Sequence, residues 1–165
     1  MTALIATSRN MLTAFAGMLN KAAVHETAAA ILDARLADDM LPLATQIRML
    51  ANFPRQAVSA VSDAQLASNE EDPASLDDAK ARVAETLEML SSVDESSLHG
   101  EDTMVDLELP NGMKFRMSVA DYVSDWVFPN FYFHITTAYA IMRSKGVDLG
   151  KADLVPHMMQ YAAKA

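Results

Sequence analysis

Of the four histidines in this 165-residue chain, His25, His99, His134 and His157, only His134 sits where a buried site would need one. It lies in the middle of Asn130-Phe131-Tyr132-Phe133-His134-Ile135-Thr136-Thr137-Ala138-Tyr139-Ala140-Ile141-Met142-Arg143, a stretch that is apolar almost all round. A buried imidazole must find partners for two ring nitrogens. Asn130 is four residues before it and Thr137 three after, so on a helix the three would share a face and form a polar stripe in a greasy segment. The ordinary reading is a satisfied network that fixes helix register; the sharper one is a ligand or catalytic site. His99, beside Gly100, and His157, in the tail, are expected to face solvent. His25 is expected at the end of the first helix, where the dipole favours imidazole. Tyr132 and Tyr139 fall off the stripe and read as packing residues with wet hydroxyls.

No His-x-x-x-His or similar spacing joins two of these residues, so a transition-metal site would need imidazoles from distant segments. The chain has no cysteine, which removes disulfides, thiolate metal sites and thiol nucleophiles. Asp38-Asp39 and Asp77-Asp78 could be paired carboxylates for metal or acid-base chemistry, but both precede or open apolar runs and read as solvated helix starts. There is no glycine-rich phosphate loop and no Gly-x-Ser-x-Gly elbow. A formal charge of −9 without a Lys/Arg cluster argues against nucleic acid. The N-terminal residues carry neither a basic region nor a membrane-spanning run, so a cytoplasmic protein without membrane association is expected. Twelve methionines are read as core filler.

The elements that must position these residues fit a single domain over 1–165. Met11, Phe15, Met18, Leu19 and Ala22 recur at helical spacing, giving a first helix over roughly residues 3 to 24. Thr27 to Leu36 reads as a short helical connection. A second helix starts near Met40 to Leu43, with Leu43, Ile47, Leu50 and Ala51 as its stripe; Pro54 predicts a kink near Ala51 or a new start before Ala57. After the polar loop around 67–73, a third helix carries Leu76, Ala79, Val83, Leu87 and Leu90. Residues 103–117 alternate with period two on both sides of Pro110-Asn111-Gly112 and read as a β-hairpin. A three-residue loop pairs Leu109 with Met113, Leu107 with Phe115 and Val105 with Met117, and puts Gly112 at the left-handed position. The last long segment opens at Ser118 and Asp121, bends at Pro129 and ends at Gly146. The tail from about 153 to 165 reads as either a docked helix or a frayed end.

The stretch Pro129 to Arg143, continuing through Gly146-Val147-Asp148-Leu149-Gly150-Lys151, and the earlier run Ala34-Arg35-Leu36-Ala37-Asp38-Asp39-Met40-Leu41-Pro42-Leu43 together resemble an uncharacterised bacterial family of the DinB-like superfamily. The resemblance implies an all-α, antiparallel four-helix bundle with up-down-down-up connectivity, carrying here a small inserted hairpin, and often a homodimer. Better-known relatives hold a divalent metal through three histidines, and some are thiol S-transferases or metal-dependent hydrolases. Counting back from Gly146, the two ligand positions of the last helix fall on Asn130 and His134, and the second-helix position falls near Gln46. The implied set is therefore Gln, Asn and His. Amide oxygens are poor ligands for Zn, Ni or Fe beside imidazole, so no cofactor is expected.

Three functional readings follow. In the first, a polar pocket of Gln46, Asn130, His134, Thr137 and Asp39 binds a small ligand without metal, or survives as a structural remnant. In the second, His134 is a general base, or one ligand of an unusual Zn, Ni or Fe site made with Gln46 and Asn130 or completed by Asp39 or His25. In the third, Trp126, Phe128 and Phe131 form an exposed interaction face. Whether the chain is an enzyme is left open by its residues.

Overall fold

The computed structural model describes residues 2–163; residue 1, and residues 164 and 165 at the end of the expected tail, lie outside it. Four long helices carry the fold: α1 (Thr2–Ala23), α2 (Leu43–Ala60), α3 (Leu76–Ser92) and α5 (Phe128–Ser144). Between α3 and α5 come β1 (Met104–Glu108), β2 (Lys114–Ser118), the single turn α4 (Val119–Asp121) and a π-helical stretch, Tyr122–Val127. The short α6 (Lys151–Leu154) follows. Among the described residues, no helix is long and apolar enough to cross a membrane.

Side-chain pairings fix the helix directions. Leu4, at the start of α1, packs in one cluster with Ala57 and Val61 at the end of α2, so these two helices run opposite ways. Thr45 reaches Asp72 just ahead of α3, and Thr86 reaches Ala51, so α2 and α3 run the same way. Gln46 meets His134, while the later Phe53 shares a groove with the earlier Trp126, so α5 runs against α2. The result is the expected up-down-down-up arrangement of four long helices. Its main core joins Leu12, Phe15 and Met18 to Ile47, Leu50, Val83, Leu90, Phe131 and Ile135, all essentially excluded from solvent.

Local chemistry accounts for the element ends. Ser75 caps α3 by accepting the Asp78 N–H at 3.0 Å, with Asp77 and Asp78 at the positive end of the helix dipole. The hairpin has the expected register: Leu107 faces Phe115, Val105 faces Met117, and Leu109 N donates to Met113 O at 2.8 Å. Gly112 holds φ +83, as the bulged turn requires. Gly146 ends α5 at φ +91, a conformation that favours glycine, while a Cβ there would only touch the His25 ring at 3.4 Å. The tail docks: α6 lies on α1, with Lys21 Nζ 2.8 Å from Asp153 Oδ1.

Several expectations are corrected. Thr27 to Leu36 forms turns and one 3-10 turn, Ile31–Asp33, rather than a helix, since its small alanines bury little besides Ile31. Asp38 and Asp39 lie in an exposed turn and do not cap α2, whose N-cap is Pro42. Helix α2 is continuous through Pro54, so no new start precedes Ala57; the Thr86 hydroxyl, 2.9 Å from Arg82 O and 3.3 Å from Ala51 O, accepts from Arg55 Nε at 3.2 Å, so α3 lays a polar group beside the turn proline disturbs. Before Pro129 the chain takes a π-helical course into α5, which the residue pattern did not announce. Helix α5 is not buried all round: Tyr132 and Phe133 are exposed. His99 and His157 are half-buried, with His99 Nε2 3.3 Å from Asp63 Oδ1. Phe131 is 1% exposed and lies in the core, so it does not belong to the expected aromatic face, while Trp126 and Phe128 are half-buried.

Candidate functional site

Gln46 and His134, 88 residues apart in sequence, meet inside the bundle. Gln46 sits in the first turns of α2, where Pro42 caps the helix in an extended conformation and Leu41 O lies ahead of its first turn. Its Nε2 donates to that carbonyl at 3.2 Å, which turns Oε1 inward, 2.7 Å from His134 Nδ1. An amide oxygen only accepts, so Nδ1 carries the proton and the neutral ring keeps its lone pair on Nε2. Nε2 has no hydrogen-bond partner among the described residues. The ring is stacked on Phe53 at 5.4 Å between centroids and meets the edge of Phe133 at 5.3 Å. Burial among these rings lowers the His134 pKa to about 4, because a charged imidazole would lose its water there.

The other residues singled out in the sequence do not join this pair. Asn130 Nδ2 donates to Trp126 O at 2.7 Å, which commits the amide to its own helix beside Pro129. Thr137 is buried one turn beyond His134 on α5. Asp39 is exposed on the turn before α2, and His25 packs on Gly146 with Nδ1 2.9 Å from Thr27 Oγ1. Among the described residues, no group of three or more His, Cys, Asp or Glu is placed to hold a metal ion. Gln46 and Asn130, the residues expected beside His134, offer an amide oxygen already engaged by His134 and an amide engaged by the backbone. That donor set does not fit Zn, Ni or Fe.

A second feature adjoins the pair. Helix α2, the hairpin and the π-helical stretch enclose an open groove of about 660 Å³, lined by Arg48, Phe53, Leu107, Glu108, Tyr122 and Trp126 among others. Phe53 is the shared wall: one part of it lines the groove, and its ring stacks on His134. Burial pushes the Tyr122 hydroxyl up to about 12, so it stays a neutral donor. Sequence reasoning singled out neither Arg48 nor Phe53 nor Tyr122 for this role. One signal was present: Met49 and Phe53, and Tyr122 and Trp126, are pairs four apart, each on one helix face, with the first pair off the core stripe of α2.

Comparison with known proteins agrees with this architecture. The family model described as "Domain of unknown function (DUF1993)" matches residues 1–155. No curated protein matches. Among solved structures, a DinB family member protein from Shewanella denitrificans is similar, with a TM-score of 0.79 and 24% sequence identity over 93% of this chain and 90% of that one. At that identity the likeness carries the fold.

Proposed function

The chain belongs to the DUF1993 family, a domain of unknown function built here on a DinB-like bundle, and from that premise we propose that it is a metal-free, small-ligand-binding domain. In this reading His134 offers its Nε2 lone pair to an N–H or O–H of the ligand. The observation that carries it is the 2.7 Å bond from His134 Nδ1 to Gln46 Oε1, which fixes both ring orientation and tautomer. A ring whose conjugate acid has a pKa of about 4 remains neutral at pH 7 and accepts a hydrogen bond well. The same value makes it a weak general base at neutrality, since that role works best with a pKa near the working pH. Binding is therefore favoured over proton-transfer catalysis.

Two measurements test this. Elemental analysis of the purified protein is expected to find no stoichiometric Zn, Ni or Fe; one metal per chain, lost in His134→Ala, overturns the reading. Nitrogen-15 spectra of the histidine rings at pH 7 are expected to show His134 as the neutral Nδ1–H tautomer. In Gln46→Leu that preference is expected to disappear.

A further inference from the structure

We infer that the groove between α2, the hairpin and the π-helical stretch is a subsite for a flat organic carboxylate, with Arg48 taking the carboxylate and Phe53 and Trp126 the ring face. The inference rests on the small-ligand reading and adds to it a place and a chemical class. Three donors line this groove without a committed acceptor. Arg48 spends only Nε on Asp72 Oδ1, at 2.7 Å, and neither Nη has a hydrogen-bond acceptor among the described residues. The Tyr122 hydroxyl and the Trp126 indole N–H likewise have none there. Donors without acceptors along one concave, partly aromatic groove are complementary to an acceptor-rich anion.

The guanidinium is also held in place. Asp72 accepts from the Thr45 hydroxyl at 2.5 Å as well as from Arg48, so the carboxylate that orients Arg48 is itself anchored on the first turn of α2. A planar fork fixed through Nε presents its two Nη groups to a carboxylate in the paired geometry arginine favours. Glu108, the carboxylate among the lining residues, is paired with Lys114 at 3.0 Å across the hairpin. The ring-sized apolar surface comes from Phe53, Trp126 and Leu107, and a volume of about 660 Å³ lies within the range of small-molecule sites. Aromatic faces favour a flat partner by stacking.

Trp126 is the one tryptophan of the chain, so its indole N–H gives a single, assigned reporter inside the groove. The experiment titrates the protein with 2-naphthoate and, separately, with 2-naphthamide, following that signal in proton–nitrogen spectra. The expected result is a saturable shift with 2-naphthoate that is about tenfold weaker with the uncharged amide and in Arg48→Gln. Should Arg48→Gln fail to give a folded spectrum, the acid-against-amide comparison in the unaltered protein still decides. Equal affinity for acid and amide, or no saturable indole shift at millimolar acid, overturns the assignment. If 2-naphthoate moves the His134 ring signals and leaves the indole still, the groove assignment fails while the small-ligand reading stands. If the indole shift persists in His134→Ala, the groove is supported, and His134 is judged by its own tautomer and metal measurements.

Discussion

The two polar features on either side of Phe53 are built in opposite ways. Gln46 and His134 are 1% and 7% exposed, bonded to each other and closed in by rings. Arg48, Trp126 and the Tyr122 hydroxyl border open space and keep donors unspent. The difference teaches what burial demands: a polar group without water must have a partner, so the Nδ1 side of the inner pair is settled by the fold, whereas the outer donors, like His134 Nε2, can wait for one. A perturbation of the bond between Gln46 and His134 Nδ1 should therefore be read in stability, and one of the outer donors in binding.

The largest expected effect is of pH on the inner pair. The unfolded chain carries a histidine of ordinary pKa, 6.5, while the folded ring titrates at about 4. Between those values the unfolded state binds the extra proton, so stability is full above pH 6.5 and falls as pH drops toward 4, by about 3 kcal/mol in all. The lowered carboxyls of Asp72 and Asp78 act in a lower window, since their stabilisation is lost only as pH falls below their ordinary value of 3.8 toward their folded one. Urea denaturation at a series of pH values should show the decline between pH 6.5 and 4, and His134→Gln should flatten it. An unchanged slope in that variant would mean the imidazole is not held neutral by the fold.

Next in size is Gln46→Leu. It removes the acceptor of a buried Nδ1–H and the donor to Leu41 O together, which should cost about 1–3 kcal/mol at pH 7. Because the ring could then take either tautomer, the loss should be accompanied by mixed nitrogen-15 histidine signals. A stability change without any tautomer change would indicate loss of packing alone.

Much of the fold could be read from the residues because local and global signals agree there. The hairpin register follows from period-two alternation and the left-handed demand at Gly112, and the start of α3 from Ser75 and Asp78. The site was legible only in part. His134 announced itself as a polar residue in an apolar segment, and Gln46 came from resemblance, but nothing local shows that the Asn130 amide turns back to Trp126 O. That depends on the π-helical stretch ahead of Pro129, which arises from carbonyls displaced along the helix and leaves no pattern in residue types. The groove was hidden for a related reason: its donors come from α2 and from the segment before α5, and its outer wall from the hairpin, so only the assembled fold brings them together.

A smaller effect is expected at the hairpin turn, which walls the outer feature. Gly112→Ala places a Cβ at φ +83, where no neighbour crowds it but the backbone itself is strained. The expected loss is about 1 kcal/mol, measured by thermal unfolding. The inner pair should keep its His134 tautomer, because the rings that meet the imidazole, Phe53 and Phe133, and its partner Gln46 all lie outside the hairpin. A tautomer change in this variant would join the two features that the comparison separates.

The smallest stability effect should come from Arg48→Gln. The pair between Arg48 and Asp72 is partly solvent-exposed, so its loss should cost less than about 1 kcal/mol, even though Asp72 keeps the Thr45 hydroxyl and the nearby Arg82 charge. Binding of 2-naphthoate should nevertheless fall about tenfold, because both Nη donors leave the groove. Stability barely moved with binding strongly weakened is the reverse of what Gln46→Leu should give. If Arg48→Gln instead destabilises the chain as much as Gln46→Leu does, Arg48 is a structural member of the bundle and its unspent donors have no claim to a ligand.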